Sequence, residues 1–222
     1  MSEQLASEFA AARREMLEDQ LRHRGISNQL VLGAMARVPR ELFVLDEVRD
    51  LAYADCALPI RAGQTISQPF TVAFMAELLQ LTGREHVLEI GTGSGYAAAV
   101  LSLIAQHVDT VERLTILAAD ATERLERLGY TNVSVHEGDG TLGWPAAAPY
   151  DAISVTAGGT TMPLPLFEQL KEGGRLVIPL QSDGRGQQMW RFTRRQGQPE
   201  AECLGSFSFV PLIGIHGWDA KD

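Results

Sequence analysis

Gly91, Gly93 and Gly95 stand at alternate positions, directly after the run Val87-Leu88-Glu89-Ile90 and directly before an Ala-rich segment opening at Tyr96. Residues without a Cβ at that spacing let the backbone turn with positive φ. They also let a ligand lie against bare main chain at the positive end of a helix. The spacing is G-x-G-x-G, not the G-x-G-x-x-G of dinucleotide-binding turns, and an acid, Glu89, precedes the first glycine by two positions. A carboxylate at that strand end disfavours a pyrophosphate and suits a cationic or zwitterionic ligand. S-Adenosylmethionine, with its ammonium and sulfonium, fits that requirement.

Two further acids end apolar runs. Glu112 closes the alternating stretch from His107 and lies 17 positions beyond Gly95, near the reach expected of a carboxylate that accepts both ribose hydroxyls. Asp139 sits between Gly138 and Gly140 after the run from Val133 to Glu137, where a carboxylate could accept an adenine amino group. Thr65, Ser67 and Gln68 lie just upstream of a helix whose first turn holds Pro69. Singly, each hydroxyl reads as a cap; together, ahead of the glycine strand, they form a candidate site.

The elements that must position these residues follow from periodicity. Apolar residues at helical spacing from Phe9 to Arg24 predict an amphipathic helix stopped by Gly25. Ser27 is placed to cap a second helix ending at Pro39, and a short helical piece covers Asp46 to Ala52. Strands are then expected at Val87–Ile90, 107–113, Val133–Glu137, Tyr150–Thr156 and Arg175–Pro179, with helices between them. A closing antiparallel pair is expected from Gln187 to Thr193 and from Cys203 to Val210. Strands alternating with helices imply an α/β, doubly wound, mostly parallel sheet, with its ligand at the carboxyl ends of the strands. One domain is expected over 1–222, with a helical N-terminal extension over 1–55 and the α/β core over 56–222.

Bulk properties narrow the classes. The chain has 222 residues and a net charge of -9, which argues against a nucleic-acid surface, since no run of Lys and Arg builds a phosphate-binding face. No apolar run reaches membrane-span length, and Met1-Ser2-Glu3-Gln4 lacks a basic-then-apolar leader. A cytoplasmic monomer is the expectation. Cys56 and Cys203 form no C-x-x-C, and His23, His86, His107, His136 and His216 show no metal-ligand spacing, so no metal is expected.

Several longer segments together carry a family resemblance. These include Gln20-Leu21 with Arg24-Gly25-Ile26, Val38-Pro39-Arg40 with Phe43-Val44, Gly63-Gln64-Thr65-Ile66-Ser67-Gln68-Pro69 and Val87 to Tyr96. Leu58-Pro59-Ile60, Thr110-Val111-Glu112-Arg113, Gly138-Asp139-Gly140, Ala148 to Ile153 and Phe209-Val210-Pro211-Leu212 complete the set. From about residue 13 to 214 the chain resembles the protein-L-isoaspartate (D-aspartate) O-methyltransferases. The glycine turn is common to many methyltransferases, whereas the Gln64 to Pro69 segment is specific to this family.

The resemblance implies a Rossmann-like class I fold and S-adenosylmethionine as methyl donor. It also implies transfer to the α-carboxylate of isoaspartyl residues in damaged proteins, a repair that continues through a succinimide. It assigns catalysis to Ser67 and the donor contacts to Ile66, Ser67, Glu89, Gly91, Gly93, Gly95, Glu112, Asp139 and Gly140. Two departures from the family pattern fall near the acceptor side: Thr156 to Pro163 replaces a small-residue run, and Arg61 stands where glycine is common. Three other readings compete. A methyltransferase of the same fold could act on a specific peptide aspartate or a metabolite, and the chain could be a nicotinamide-dependent oxidoreductase or a non-catalytic binding module. The glycine spacing and Glu89 disfavour the oxidoreductase.

Overall fold

The computed structural model describes residues 3–182 and 186–219; Met1 and Ser2, used above in reading the N-terminus, lie outside them. Helix α1 (Glu3–Glu15) continues through a π turn at Met16–Leu21 and a 3-10 turn at Arg22–Arg24. It stops at Gly25, whose φ of 96° is the left-handed cap that glycine tolerates. Helix α2 (Gln29–Arg37) is capped by Asn28, not by Ser27: the Asn28 Oδ1 accepts the N–H groups of Leu30 and Val31 at 2.9 and 3.3 Å. The Ser27 hydroxyl instead donates to Glu77, 3.1 Å away. Two 3-10 segments, Arg40–Leu42 and Asp46–Leu51, complete the extension.

The irregular stretch before the core contains a miniature antiparallel pair, β1 (Leu58–Pro59) with β2 (Thr65–Ile66), and leads into α3 (Pro69–Leu78) with Pro69 in its first turn. The core then alternates: β3 (His86–Ile90), α4 (Tyr96–Ser102), β4 (His107–Glu112), α5 (Thr115–Arg127), β5 (Val133–Glu137) and β6 (Tyr150–Val155). Next come α6 (Leu164–Glu168), β7 (Leu170–Gln181), β8 (Gln187–Arg195) and β9 (Gln198–Phe207). The sheet order is β5-β4-β3-β6-β7-β8-β9, parallel through β7 and antiparallel beyond. The last strand begins five residues earlier than the pattern suggests. Gln196 and Gly197 both take positive φ, 51° and 75°, and so close a two-residue hairpin immediately after β8.

Both faces of the sheet are covered, which is why its strands read as continuous apolar runs. Val87 and Val108 face a cluster that includes Phe9, Met16, Met35 and Tyr96 from the extension and α4. Leu88, Ile90 and Val111 face a second cluster with Tyr150, Leu166 and Leu176. Each wholly buried Leu or Val contributes roughly 2 kcal/mol by leaving water. The chain lays strands outward from β3 to β5 and then returns to β6 on the other side of β3. The carboxyl ends of β3 and β6 are therefore the switch point where such sheets open a crevice.

Candidate active site

That crevice is a cleft of about 710 Å³, within the range that encloses a small ligand. Its floor is the glycine turn. Gly91, Gly93 and Gly95 take φ of 93°, 54° and 85°, values an L side chain rarely adopts, so the turn is set by composition. A Cβ on Gly91 would run into the Thr156 hydroxyl, which donates to the carbonyls of Ile90 and Gly91 at 3.0 and 2.8 Å. The departure at Thr156 thus ties the end of β6 to the turn. Gly158, next along, pairs with the C-terminal segment: its N–H donates to Val210 and its carbonyl accepts from Leu212 and the Trp218 indole.

Of the residues singled out from the sequence, Ile66, Ser67, Gly91, Gly93, Glu112 and Gly140 share the cleft wall. Glu112, buried at the end of β4, accepts the Gly93 N–H on Oε2 at 2.9 Å and the Leu114 N–H on Oε1 at 3.0 Å. One carboxylate therefore couples the glycine turn to the start of α5. Ser67 makes no side-chain hydrogen bond among the described residues, and the residue lines the cleft. Its carbonyl is held at 2.8 Å by the Nη2 of Arg40.

Glu89, Gly95 and Asp139 are not part of that wall. Glu89 is fully buried, with Oε2 accepting from the Thr110 hydroxyl at 2.6 Å and Oε1 without a partner among the described residues. Burial, reinforced by the nearby charge of Glu112 and opposed by the Thr110 hydrogen bond, pushes its carboxyl up to about 8. At neutral pH it is mostly uncharged, so its electrostatic pull on a cation is weaker than its place in the sequence suggests. Asp139 caps the 3-10 turn Gly140–Leu142 and accepts the Ile215 N–H at 2.8 Å, pinning the C-terminal segment. Burial opposes its ionisation, but hydrogen bonds from Ile215 and Thr141 outweigh it and hold the carboxyl below its ordinary value. Arg61 pairs with Asp120 of α5 at 2.8 Å and is not part of the cleft wall.

The residue that sequence reasoning passed over is Arg40. It is entirely buried and donates to the Ala52 carbonyl at 2.7 Å and to that of Ser67, and its guanidinium lies 4.7 Å from the Tyr96 ring centroid. The signal was its setting, an arginine after Pro39 among Val38, Phe43 and Val44, all of them buried.

A glycine-floored cleft at the switch point of this sheet, with a buried acid at the end of the second core strand, fits an adenosyl donor. It defines a class I S-adenosylmethionine-dependent methyltransferase. A family model described as protein-L-isoaspartate(D-aspartate) O-methyltransferase matches residues 11–217. The chain is 57% identical over 209 residues to protein-L-isoaspartate O-methyltransferase 2 of Pelobacter propionicus, covering 93% of this chain and 92% of that one. It is 54% identical over 208 residues to the Rhodopseudomonas palustris enzyme, covering 93% and 95%. A solved protein-L-isoaspartate O-methyltransferase superposes with a TM-score of 0.84 at 32% identity, over 92% of this chain and 67% of that one. A Plasmodium falciparum protein solved with S-adenosyl-L-homocysteine shares the fold, with a TM-score of 0.78 at 24% identity over 90% and 98%. The chain belongs to the protein-L-isoaspartate(D-aspartate) O-methyltransferase family.

Proposed function

We propose that this enzyme methylates the α-carboxylate of L-isoaspartyl and D-aspartyl residues in damaged proteins, with Ser67 at the reacting centre. The observation that carries the role of Ser67 is its place on the wall of a cleft floored by the glycine turn, with a hydroxyl that has no protein partner among the described residues. An acceptor carboxylate is already ionised at neutral pH, with an ordinary pKa of about 3.9, so no general base is needed. Ser67 donates a hydrogen bond to one carboxylate oxygen and leaves the other free to attack, so positioning supplies most of the rate. S-Adenosylmethionine supplies the methyl: the new O–CH3 bond forms as the C–S bond breaks, its electron pair staying on sulfur. The methyl ester then closes to a succinimide without the enzyme as a backbone nitrogen expels methanol.

In the same reading Ile66 and Ser67 border the donor, and Glu89 with Gly91, Gly93 and Gly95 shapes its methionine side. Glu112 takes the ribose, and Asp139 with Gly140 the adenine. Glu89, Gly95 and Asp139 act indirectly, Glu89 through the Thr110 hydroxyl, Gly95 through the conformation of the turn and Asp139 through the Ile215 and Thr141 N–H groups, since none of the three is on the cleft wall. We take the enzyme to work as a monomer in the cytoplasm; among the described residues no helix is long and apolar enough to cross a membrane. The excess of 28 acids over 19 Lys and Arg supports a surface not built for nucleic acid.

The test pairs two peptides differing only in whether one residue is isoaspartate or aspartate, incubated with the purified chain and labelled S-adenosylmethionine. Label in the isoaspartyl peptide alone is expected. Equal labelling of both, or of neither, would reject the substrate assignment.

A further inference from the structure

Linear spacing gives the histidines no metal-binding pattern, but sheet register gathers three of them. His86 and His107 open β3 and β4 as direct partners, and Asp109, two residues along β4, shares their face. His136 projects from β5 on that same face, opposite Val111. The Asp109 carboxylate, only 5% exposed, meets His86 Nε2 at 2.5 Å through Oδ2 and His136 Nε2 at 2.5 Å through Oδ1. His107 Nε2 lies 3.9 Å from Oδ1. None of the four is on the wall of the methyl-transfer cleft.

We propose that His86, His107 and Asp109 bind a borderline divalent cation of the zinc class, as a structural site separate from methyl transfer. Their ligand atoms lie within 4.8 Å of one another, close enough for small side-chain rotations to bring all three to the roughly 2.0–2.2 Å that zinc requires. Two imidazoles and one carboxylate form a donor set zinc accepts, with water completing the tetrahedron. His136 is the outer support. Its ring is stacked on Trp144 at 4.1 Å and 14°, and it can hold the second carboxylate oxygen while the first turns to the ion. His86 against the Tyr150 ring is similarly constrained. An ion can arrive from solvent because the His107 and His86 side chains are 39% and 28% exposed. Bound there, it would clamp β3 to β4 at the amino end of the sheet, the end opposite the glycine turn.

The test is a calorimetric titration of the chelator-treated enzyme with zinc chloride. One equivalent is expected to bind, with affinity lowered at least roughly tenfold in His107→Ala and unchanged in His23→Ala, which removes an exposed histidine outside the cluster. His107→Ala should keep its methyl transfer, which also verifies that it folds. A zinc-edge anomalous difference map should place its peak among His86, His107 and Asp109. Absence of stoichiometric binding, wild-type affinity in His107→Ala, or a peak elsewhere would each overturn the site.

Discussion

Ser67 presents an unpartnered hydroxyl among the described residues, whereas Glu112 already accepts two backbone N–H groups, so the two residues answer to different measurements. Ser67→Ala should lower kcat roughly 10- to 100-fold, the worth of one hydrogen bond to a charged group, with S-adenosylmethionine affinity nearly unchanged. Glu112→Ala should show the reverse emphasis, weakening donor affinity by roughly tenfold or more in calorimetry. Equal losses in rate and donor affinity for Ser67→Ala would contradict its role. Glu89 makes a prediction about pH. Its carboxyl is raised by burial to about 8 in the folded chain, from an ordinary 4.5. A raised value means that the folded state holds the proton more tightly. The stability tied to that proton is therefore complete below about pH 4.5 and is lost as the pH climbs through about 8. Glu89→Gln is neutral throughout. Urea unfolding should show the wild type losing ground to this variant across that window, on the order of 1.4 kcal/mol per unit of displacement. A pH-independent gap would mean that the carboxyl titrates normally.

At the scale of elements, the Ser67 segment is held by the extension through Arg40, which joins the Ala52 carbonyl, the Ser67 carbonyl and the Tyr96 ring. The Tyr53 hydroxyl accepts from the Arg40 N–H at 3.2 Å and from Arg13 at 2.7 Å and donates to Glu41, so α1 is tied into the same network. Arg40→Met keeps the stem and removes the donors, leaving two carbonyls unpaired. It should cost roughly 2 to 5 kcal/mol in chemical denaturation and lower kcat more than it weakens donor binding. A variant stable as wild type, with full kcat, would show that Ser67 is placed without it. This arrangement also explains what the sequence could disclose. The glycine turn, Pro69 and the alternating strands are local signals, and α3 and β3 to β6 lie close to where those signals fall. Asn28 displaced Ser27 as the cap because Glu77, distant in sequence, engages Ser27. Arg40 and the histidine cluster depend on partners set by packing and register, such as His86 against His107, 21 positions apart. The apolar setting of Arg40 marks its burial, but no local pattern reports those partners.

Across the whole molecule, the extension is more than an appendage laid on a finished sheet. Phe9, Met16, Leu21 and Met35 share one apolar cluster with Val87 and Val108 of the central strands and with Ala98 and Val100 of α4. If that cluster makes 1–55 and 56–222 one cooperative unit, damage in the first part must be felt in the second. The three tryptophans allow the point to be tested, because Trp144, Trp190 and Trp218 all lie in the α/β part and none in the extension. Met16 is wholly buried, and Met16→Ala should cost roughly 2 to 5 kcal/mol through lost transfer energy and the cavity left behind. Monitored by tryptophan fluorescence in urea, the midpoint should fall by the full amount and coincide with the loss of helical circular dichroism. Should the fluorescence transition stay at its wild-type midpoint while part of the helical signal melts earlier, the extension folds as a separate unit. The Arg40 contact would then be a docking between two units and not part of one core.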